Sequence, residues 1–142
     1  MFQGTSLVSL DVKGRLSLPV RYREGLMLTC QGEVTITRHP DGCVLIFPRA
    51  VWIELKAKLM KLPYSARVLR RILLGSAVDV KTDGSGRLLI PNELRSLCGL
   101  TREVALMGLG DHFELWDQAA LAEFEKKELA KDFSETIEDF VL

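Results

Sequence analysis

The stretch Asp11-Val-Lys-Gly-Arg-Leu-Ser-Leu-Pro19 occurs again 72 residues later as Asp83-Gly-Ser-Gly-Arg-Leu-Leu-Ile-Pro91, with Asp, Gly, Arg, Leu and Pro in the same register. A second match, at an offset of 69 residues, relates Cys43-Val-Leu-Ile-Phe-Pro-Arg-Ala50 to His112-Phe-Glu-Leu-Trp-Asp-Gln-Ala119. Two matches in the same order indicate a tandem duplication of one small module. The loop between the matches is three residues shorter in the second copy.

The first part of each copy has the composition of a tight turn between two strands. Asp11 in the first copy and Asp83 in the second can accept hydrogen bonds from downstream amides, and Gly14 and Gly86 tolerate a positive φ. Segments of alternating apolar and polar residues flank each turn, in the first copy at 7–10 and 15–18. This pattern predicts a β-hairpin with the Asp-x-x-Gly turn at its tip.

The rest of each copy predicts a helix and a second hairpin. Pro19 and Pro91 stand where the first turn of a helix tolerates a missing N–H. The strands at 34–37 and 44–47, and those at 104–107 and 113–116, flank short turns that contain glycine. Each copy therefore reads strand, turn, strand, short helix, strand, turn, strand, longer helix. We expect an α+β fold that is mainly β at its core, with interleaved sheets or a barrel and packed helices.

Helical patterns connect and follow the two copies. Apolar residues at helical spacing predict a helix over 49–60, and Ser65 is a candidate cap for a second helix up to Gly75, with Arg67, Arg70 and Arg71 on its outer side. Asp117 is a candidate cap for a helix through Lys131, and an acidic tail covers 135–142. The chain thus divides into a first module (5–50), a helical connector (51–75), a second module (77–120) and a C-terminal helix with the acidic tail (121–142).

The charges are unevenly distributed along a chain whose formal net charge is zero. Residues 1–75 contain 12 Lys and Arg against 5 Asp and Glu, whereas residues 76–142 contain 7 against 14. The first half is therefore expected to face phosphates. The two halves are also suited to head-to-tail packing between neighbouring copies, although the same charges are typical of solvated helix surfaces.

Several classes of function are disfavoured by the sequence. Cys30, Cys43 and Cys98 are widely spaced and predict buried, reduced thiols, and we expect neither a metal site nor a cofactor. Gly84-Ser-Gly86 is a weak candidate for a phosphate-binding loop, and no catalytic set suggests an enzyme or a small-molecule substrate. No apolar run is long enough to cross a membrane and no signal peptide is recognisable, so a cytoplasmic protein is expected.

The arginine of each turn has two interpretations. Arg15 and Arg87 can form an exposed ion pair with the Asp four residues earlier, which contributes only about 0–1 kcal/mol. Arginine also binds phosphate or the O6 and N7 atoms of guanine bidentately, and a two-stranded β-ribbon fits the major groove of DNA. In that interpretation Lys13 and Arg15 contact base edges, while Arg21 and Arg23 contact phosphates.

The second copy is less basic around its turn. Gly84 and Ser85 replace Val12 and Lys13, and Glu93 stands at the position of Arg21. A DNA contact by Arg87 and a purely structural role of the second turn therefore both remain open. Replacing each arginine separately would distinguish them.

The sequence resembles the MraZ regulators, which are related to the AbrB and MazE DNA-binding proteins. The landmarks that carry the resemblance are, in order, Met1-Phe2-x-Gly4, Leu10-Asp-x-Lys-Gly-Arg15 followed by Pro19, Tyr22-Arg23, Leu73-Leu-Gly75, Asp83-Gly-x-Gly-Arg87 and Phe113-Glu-Leu-Trp116. The resemblance implies two SpoVT-AbrB domains, that is, tandem swapped-hairpin modules of the double-split β-barrel type. It also implies assembly into a homo-oligomeric ring and binding of double-stranded DNA at repeated promoter elements. A head-to-tail assembly would present its Arg15 turns in the same direction, so we expect direct repeats rather than a palindrome.

For its biological role, the resemblance implies a nucleoid-associated transcriptional regulator that controls its own operon in the division and cell-wall gene cluster. The alternative is a protein-interaction module of antitoxin type that binds a partner protein. Such antitoxins usually contain one copy of the module and a disordered tail, whereas this chain has two copies and long amphipathic helices.

Overall fold

The computed structural model describes residues 1–140. Val141 and Leu142, which end the predicted acidic tail, lie outside the described residues. The strands are β1 (Phe2–Ser9), β2 (Arg15–Ser17), β3 (Glu33–Arg38), β4 (Val44–Pro48), β5 (Val78–Lys81), β6 (Arg87–Leu89), β7 (Glu103–Gly110) and β8 (Phe113–Asp117). The helices are α1 (Val20–Cys30), α2 (Arg49–Met60), α3 (Arg67–Leu73), α4 (Asn92–Leu97), α5 (Gln118–Leu129) and α6 (Ser134–Asp139), with one 3₁₀ turn at Tyr64–Ala66.

The order of elements confirms the predicted module. Each copy runs strand, turn, strand, helix, hairpin, helix, as β1, β2, α1, β3, β4 and α2 in the first and β5, β6, α4, β7, β8 and α5 in the second. Strands make up 30% and helices 41% of the chain, so the α+β class is confirmed. The large helical share reflects the connector and the C-terminal part, which both lie outside the duplicated strands.

The two copies exchange strands with each other. Six strands form one open antiparallel sheet in the order β1-β7-β8-β4-β3-β5, so β1 pairs with a strand of the second copy and β5 with a strand of the first. The remaining strands, β2 and β6, pair in a separate two-stranded sheet. The hairpins β3–β4 and β7–β8 are confirmed, and they meet at the centre through β4 and β8.

The prediction that strands 7–10 and 15–18 pair with each other was wrong. The turn between them is present, but β1 pairs with β7 and β2 with β6. A turn motif fixes the local path of the chain and does not fix which strand provides the hydrogen-bonding partner. In the other copy β1 pairs with β7 over its whole length, and Leu16 of β2 lies opposite Leu88, where both side chains are fully buried.

Two apolar cores lie on the two faces of the large sheet. One core packs the β2–β6 pair, α1 and α4 against alternate residues of the sheet, including Ile36, Ile46 and Leu115, all fully buried. The other core packs α2, α3 and α5 against the opposite face around Phe47 and Trp116. The β2–β6 pair therefore lies on one side of the large sheet, and α2, α3 and α5 cover the other side.

The helix boundaries agree with the sequence in part. Helix α2 covers 49–60 as predicted, and Oδ2 of Asp117 accepts from the amide of Ala120 at 3.1 Å, which confirms the cap of α5. Ser65 does not cap α3, because it lies inside the 3₁₀ turn and Ala66 precedes the helix. Helix α5 ends at Leu129 rather than at Lys131. Among residues 1–140, no helix is long and apolar enough to cross a membrane.

The three cysteines are free and buried, as predicted. Cys30 and Cys98 belong to the core under the β2–β6 pair, and Cys43 belongs to the opposite core. Burial raises the pKa of the Cys43 and Cys98 thiols, so both remain protonated near neutral pH. They act as small apolar side chains.

Candidate nucleic-acid interface

The β2–β6 pair forms a ribbon with one buried and one exposed face. In its register Arg15 lies opposite Leu89, Leu16 opposite Leu88, and Ser17 opposite Arg87. Leu16 and Leu88 are fully buried and anchor the ribbon to the core. Since side chains alternate along a strand, Arg15 and Arg87 lie together on the outer face, as diagonal neighbours about 7–8 Å apart between Cα atoms.

The turn of the first copy (residues 11–15, the first turn) is organised by one carboxylate. Oδ1 of Asp11 accepts from the backbone amides of Lys13 at 2.9 Å and Arg15 at 2.8 Å, and Oδ2 accepts from Nε of Arg15 at 2.6 Å. Gly14 has a φ of +83° and closes the turn by donating its amide to the carbonyl oxygen of Asp11. The Arg15 amide in particular lowers the pKa of Asp11, which keeps the carboxylate charged.

The turn of the second copy (residues 83–87, the second turn) repeats this geometry. Oδ1 of Asp83 accepts from the amides of Ser85 at 2.9 Å and Arg87 at 3.0 Å, and Oδ2 accepts from Nε of Arg87 at 2.9 Å. Gly86 has a φ of +74°. The amide of Arg87 makes the largest contribution to the lowered pKa of Asp83. Both arginines are thus held through Nε. Their terminal nitrogens keep donors for a ligand.

Pro19 and Pro91 lie between the ribbon and the helices. Each precedes the first residue of a helix, with a φ of −53° in both cases. The fixed φ of proline is compatible with a helix start, and its missing N–H costs no intrahelical hydrogen bond there. The two prolines therefore place α1 and α4 at equivalent positions beside the ribbon.

The other predicted basic residues lie close to the first turn or on α1. The side chain of Lys13 is exposed at the first turn. Arg21 is exposed on α1, and its Nη2 donates to Oγ of Ser6 at 2.8 Å and to the hydroxyl of Tyr22 at 3.0 Å. Arg23 is half-buried and its Nε donates to the carbonyl oxygen of Leu18 at 2.6 Å.

Two features of this surface were not predicted from the sequence. Arg95 lies against the first turn although it belongs to the second copy, and it lines a groove there together with Arg102. The signal for Arg95 was present, because it follows Arg23 at the same offset of 72 residues that relates the two turns. The second feature is that the strands after the two turns, β2 and β6, pair in one ribbon. No local sequence pattern predicts this pairing, because it depends on the exchange of strands between the copies.

Gly84-Ser-Gly86 belongs to the second turn, where Ser85 donates its amide to Asp83. This hydrogen bond is the ordinary chemistry of an Asp-x-x-Gly turn. Within residues 1–140, no group of three or more His, Cys, Asp or Glu side chains is arranged to hold a metal ion.

Comparison with known proteins identifies the family. The family model described as "MraZ protein, putative antitoxin-like" matches twice, at residues 1–75 and 73–142. The chain belongs to the MraZ family. The two matches together span the whole chain and confirm the tandem duplication, and each MraZ match contains one Asp-x-x-Gly-Arg turn.

Full-length relatives agree with this assignment. A protein of Bordetella pertussis is 52% identical and one of Herminiimonas arsenicoxydans is 51% identical, each over 140 residues that cover 99% of both chains. A relative from Delftia acidovorans is 47% identical over the same length. All three are named "Transcriptional regulator MraZ". The resemblance to MraZ stated from the sequence motifs is therefore confirmed.

Proposed function

We propose that this chain is a sequence-specific DNA-binding transcriptional regulator that contacts the major groove with the β2–β6 ribbon. The observation that carries the proposal is the register of the ribbon, which places Arg15 and Arg87 on one exposed face. Its relatives are named as transcriptional regulators rather than as enzymes, which supports a role in binding instead of catalysis.

The ribbon has dimensions and chemistry suited to DNA. Two paired strands lie about 4.8 Å apart, and the major groove is about 12 Å wide, so a two-stranded ribbon enters it. Each arginine is held by a carboxylate at Nε, which leaves the ends of the fork for the O6 and N7 atoms of guanine or for phosphate. Ordering the fork before binding lowers the entropy lost on binding.

The geometry favours a DNA contact by the second turn as well as by the first. Arg15 and Arg87 are equally accessible, with 29% and 33% of their side chains exposed, and have the same pattern of hydrogen bonds. We therefore propose that Arg15, Arg87 and Lys13 contact base edges or nearby phosphates, and that Arg21 and Arg23 contact phosphates beside the ribbon. The lower positive charge around the second turn predicts a weaker contribution from Arg87.

Arg15→Ala and Arg87→Ala test the proposal by fluorescence anisotropy with promoter DNA from upstream of the chain's own gene. Each variant should weaken binding about 5- to 100-fold while the fold, followed by circular dichroism, is retained. Lys126→Ala is the matched control, because it removes one exposed positive charge on α5, on the opposite face of the sheet. Affinity that is unchanged in both arginine variants would contradict the ribbon contact.

As the family resemblance implies, the DNA target is proposed to be direct repeats in the promoter of its own operon, within the division and cell-wall gene cluster. We therefore propose a cytoplasmic location at the nucleoid. We also propose that the chain divides functionally into the first module (5–50), the helical connector (51–75), the second module (77–120) and the C-terminal helix with the acidic tail (121–142).

A homo-oligomeric ring is also proposed, with head-to-tail contacts between copies. The exposed residues 132–139 include four carboxylates, and α3 provides Arg67, Arg70 and Arg71. Ile137 and Phe140 are about two-thirds exposed beside these carboxylates, so a neighbouring copy would bury apolar surface as well as pair charges. Light scattering at low and high salt tests the electrostatic part, since an oligomer size that is independent of salt would contradict it.

A further inference from the structure

We propose that Arg95 and Arg23 are positioning residues that act crosswise between the two copies. Arg95, from the second copy, holds the first turn and so orients Arg15. Arg23, from the first copy, holds the second turn and so orients Arg87. The inference rests on the proposed DNA contact of the ribbon and explains how the two arginine forks are kept in place.

The guanidinium of Arg95 lies directly on the backbone of Gly14. A Cβ atom at Gly14 would be 2.3 Å from Cζ and 2.4 Å from Nε of Arg95, closer than real side chains approach each other. A side chain at this position would therefore displace the Arg95 guanidinium, which is a steric effect separate from the positive φ of Gly14. Gly14 directly precedes Arg15, so a shift of its peptide changes where the Arg15 side chain starts.

Ile90 connects the same two groups through its backbone. Its N–H donates to the carbonyl oxygen of Gly14 at 3.0 Å, and its carbonyl oxygen accepts from Nε of Arg95 at 3.1 Å. Gly14, Ile90 and Arg95 thus form a closed circuit of one packing contact and two hydrogen bonds. Two of these contacts, from Arg95 and from Ile90 to Gly14, join the second copy to the first turn. The third, between Arg95 and Ile90, lies within the second copy.

The second turn has the equivalent circuit. The N–H of Leu18 donates to the carbonyl oxygen of Gly86 at 3.0 Å, and Nε of Arg23 donates to the carbonyl oxygen of Leu18 at 2.6 Å. A Cβ atom at Gly86 would be 2.5 Å from Cδ and Nε of Arg23. Because all three members recur at an offset of 72 residues, the circuit is a property of the module.

This geometry gives Arg23 a means of supporting DNA binding in addition to the phosphate contact proposed for it above. Its Nε and the face of its guanidinium are already engaged within the protein. Lysine keeps the positive charge but has neither a planar fork to lie on glycine nor an Nε to donate. Arg→Lys variants therefore separate positioning from simple attraction to phosphate.

Hydrogen exchange of single amides, followed by NMR, tests the crossed arrangement without DNA. Arg95→Lys should accelerate exchange in the first turn by about fivefold or more and leave the second turn unchanged. Arg23→Lys should give the opposite pattern. Equal acceleration in both turns, or none in either, would overturn the inference.

DNA affinity tests the functional consequence in a double-mutant cycle. Arg95→Lys alone should weaken binding about 3- to 10-fold without changing the salt dependence, and less than about twofold when Arg15 is already Ala. Arg23→Lys should keep its full effect in the Arg15→Ala background. A phosphate contact would behave differently, because Lys would preserve it and Ala would reduce the slope of log K against log salt by about one.

The control and the outcomes distinguish this inference from the proposed function. Arg102→Lys is the matched control, since Arg102 lines the groove beside the first turn but lies outside the circuit. If Arg15→Ala and Arg87→Ala leave DNA affinity unchanged, the proposed function fails and the exchange rates still decide the crossed arrangement. If Arg15→Ala weakens binding and Arg95→Lys adds its full effect to it, the crossed positioning is wrong and the ribbon contact stands.

Discussion

Gly14 shows how one position meets two demands from different parts of the chain. Its φ of +83° lies in the region that favours glycine, and the guanidinium of Arg95 occupies the space that a Cβ would need. The first demand comes from the local turn and the second from a residue 81 positions later. Only the first can be read from the Asp-x-x-Gly-Arg motif.

Gly14→Ala should lower the free energy of unfolding by more than the roughly 1–2 kcal/mol that a left-handed backbone costs an L-residue, because Arg95 must also move. Gly42→Ala is the matched control: Gly42 has a φ of +101° and nothing within 4 Å of the added Cβ. Urea denaturation of the two variants measures the difference. Equal losses of stability would show that the Arg95 contact has no energetic effect.

The individual residues of the site were predictable to different degrees. Asp11, Arg15 and their counterparts Asp83 and Arg87 were found because a repeated motif marks them. Arg95 was missed because its role depends on contact with a turn that lies far away in sequence. A repeat offset identifies equivalent positions, but it does not show which copy each one touches.

At the scale of elements, one aspartate carboxylate in each turn accepts hydrogen bonds from turn amides. Asp11 and Asp83 each accept two amides and one arginine Nε, so the turn, its charge and its arginine depend on one ionised group. The sequence correctly predicted these turns and the hairpins β3–β4 and β7–β8, which depend on local residues. It failed for β1 and β2, whose partners are set by burial in the assembled sheet.

The two turns should make the stability of the protein depend on pH. Hydrogen bonds to the charged form hold the pKa of Asp11 and Asp83 below the ordinary value of 3.8. Their stabilising effect is therefore fully present above about pH 4 and is lost as the pH falls through the lowered pKa values. The Asp11→Asn/Asp83→Asn variant should be less stable than the unsubstituted chain at pH 7, and this gap should narrow below about pH 4.

Urea denaturation between about pH 2.5 and 7, a range that brackets the ordinary pKa of 3.8, measures this difference in stability. Glu125→Gln, on the exposed side of α5, is the control because it removes a carboxylate without removing a turn. A gap that stays constant across this range would contradict the role of the two carboxylates.

At the scale of the whole molecule, the duplication has produced one folding unit. Strand β1 pairs with β7, β5 with β3, and β2 with β6, so each copy completes the sheets of the other. Both cores contain residues from both copies, for example Leu16 with Leu88, and Phe47 with Trp116. The sequence revealed the duplication and led us to expect interleaved sheets, but no periodic pattern shows which strands of the two copies pair with each other.

Separate fragments of residues 1–75 and 76–142 should therefore give no folded monomer, because each lacks the partners of its exchanged strands. Mixing them should restore the fold, since the exchanged pairs are non-covalent and all lie between the two fragments. Circular dichroism together with size-exclusion chromatography measures both results. A folded monomer of either fragment would show that the copies are independent domains.

The pairing of β1 with β7 also has a consequence for synthesis on the ribosome. The register runs from Phe2 opposite Gly110 to Ser9 opposite Glu103, so β1 is synthesised about 100 residues before the strand that completes it. Ribosomes add about 5–20 residues per second, and β1 consequently waits about 5–20 s for its partner. During that time its backbone groups are an open edge to which another nascent chain can add. Rapid completion of translation, or a chaperone that covers the first eight or so residues, should therefore raise the yield of correctly folded protein.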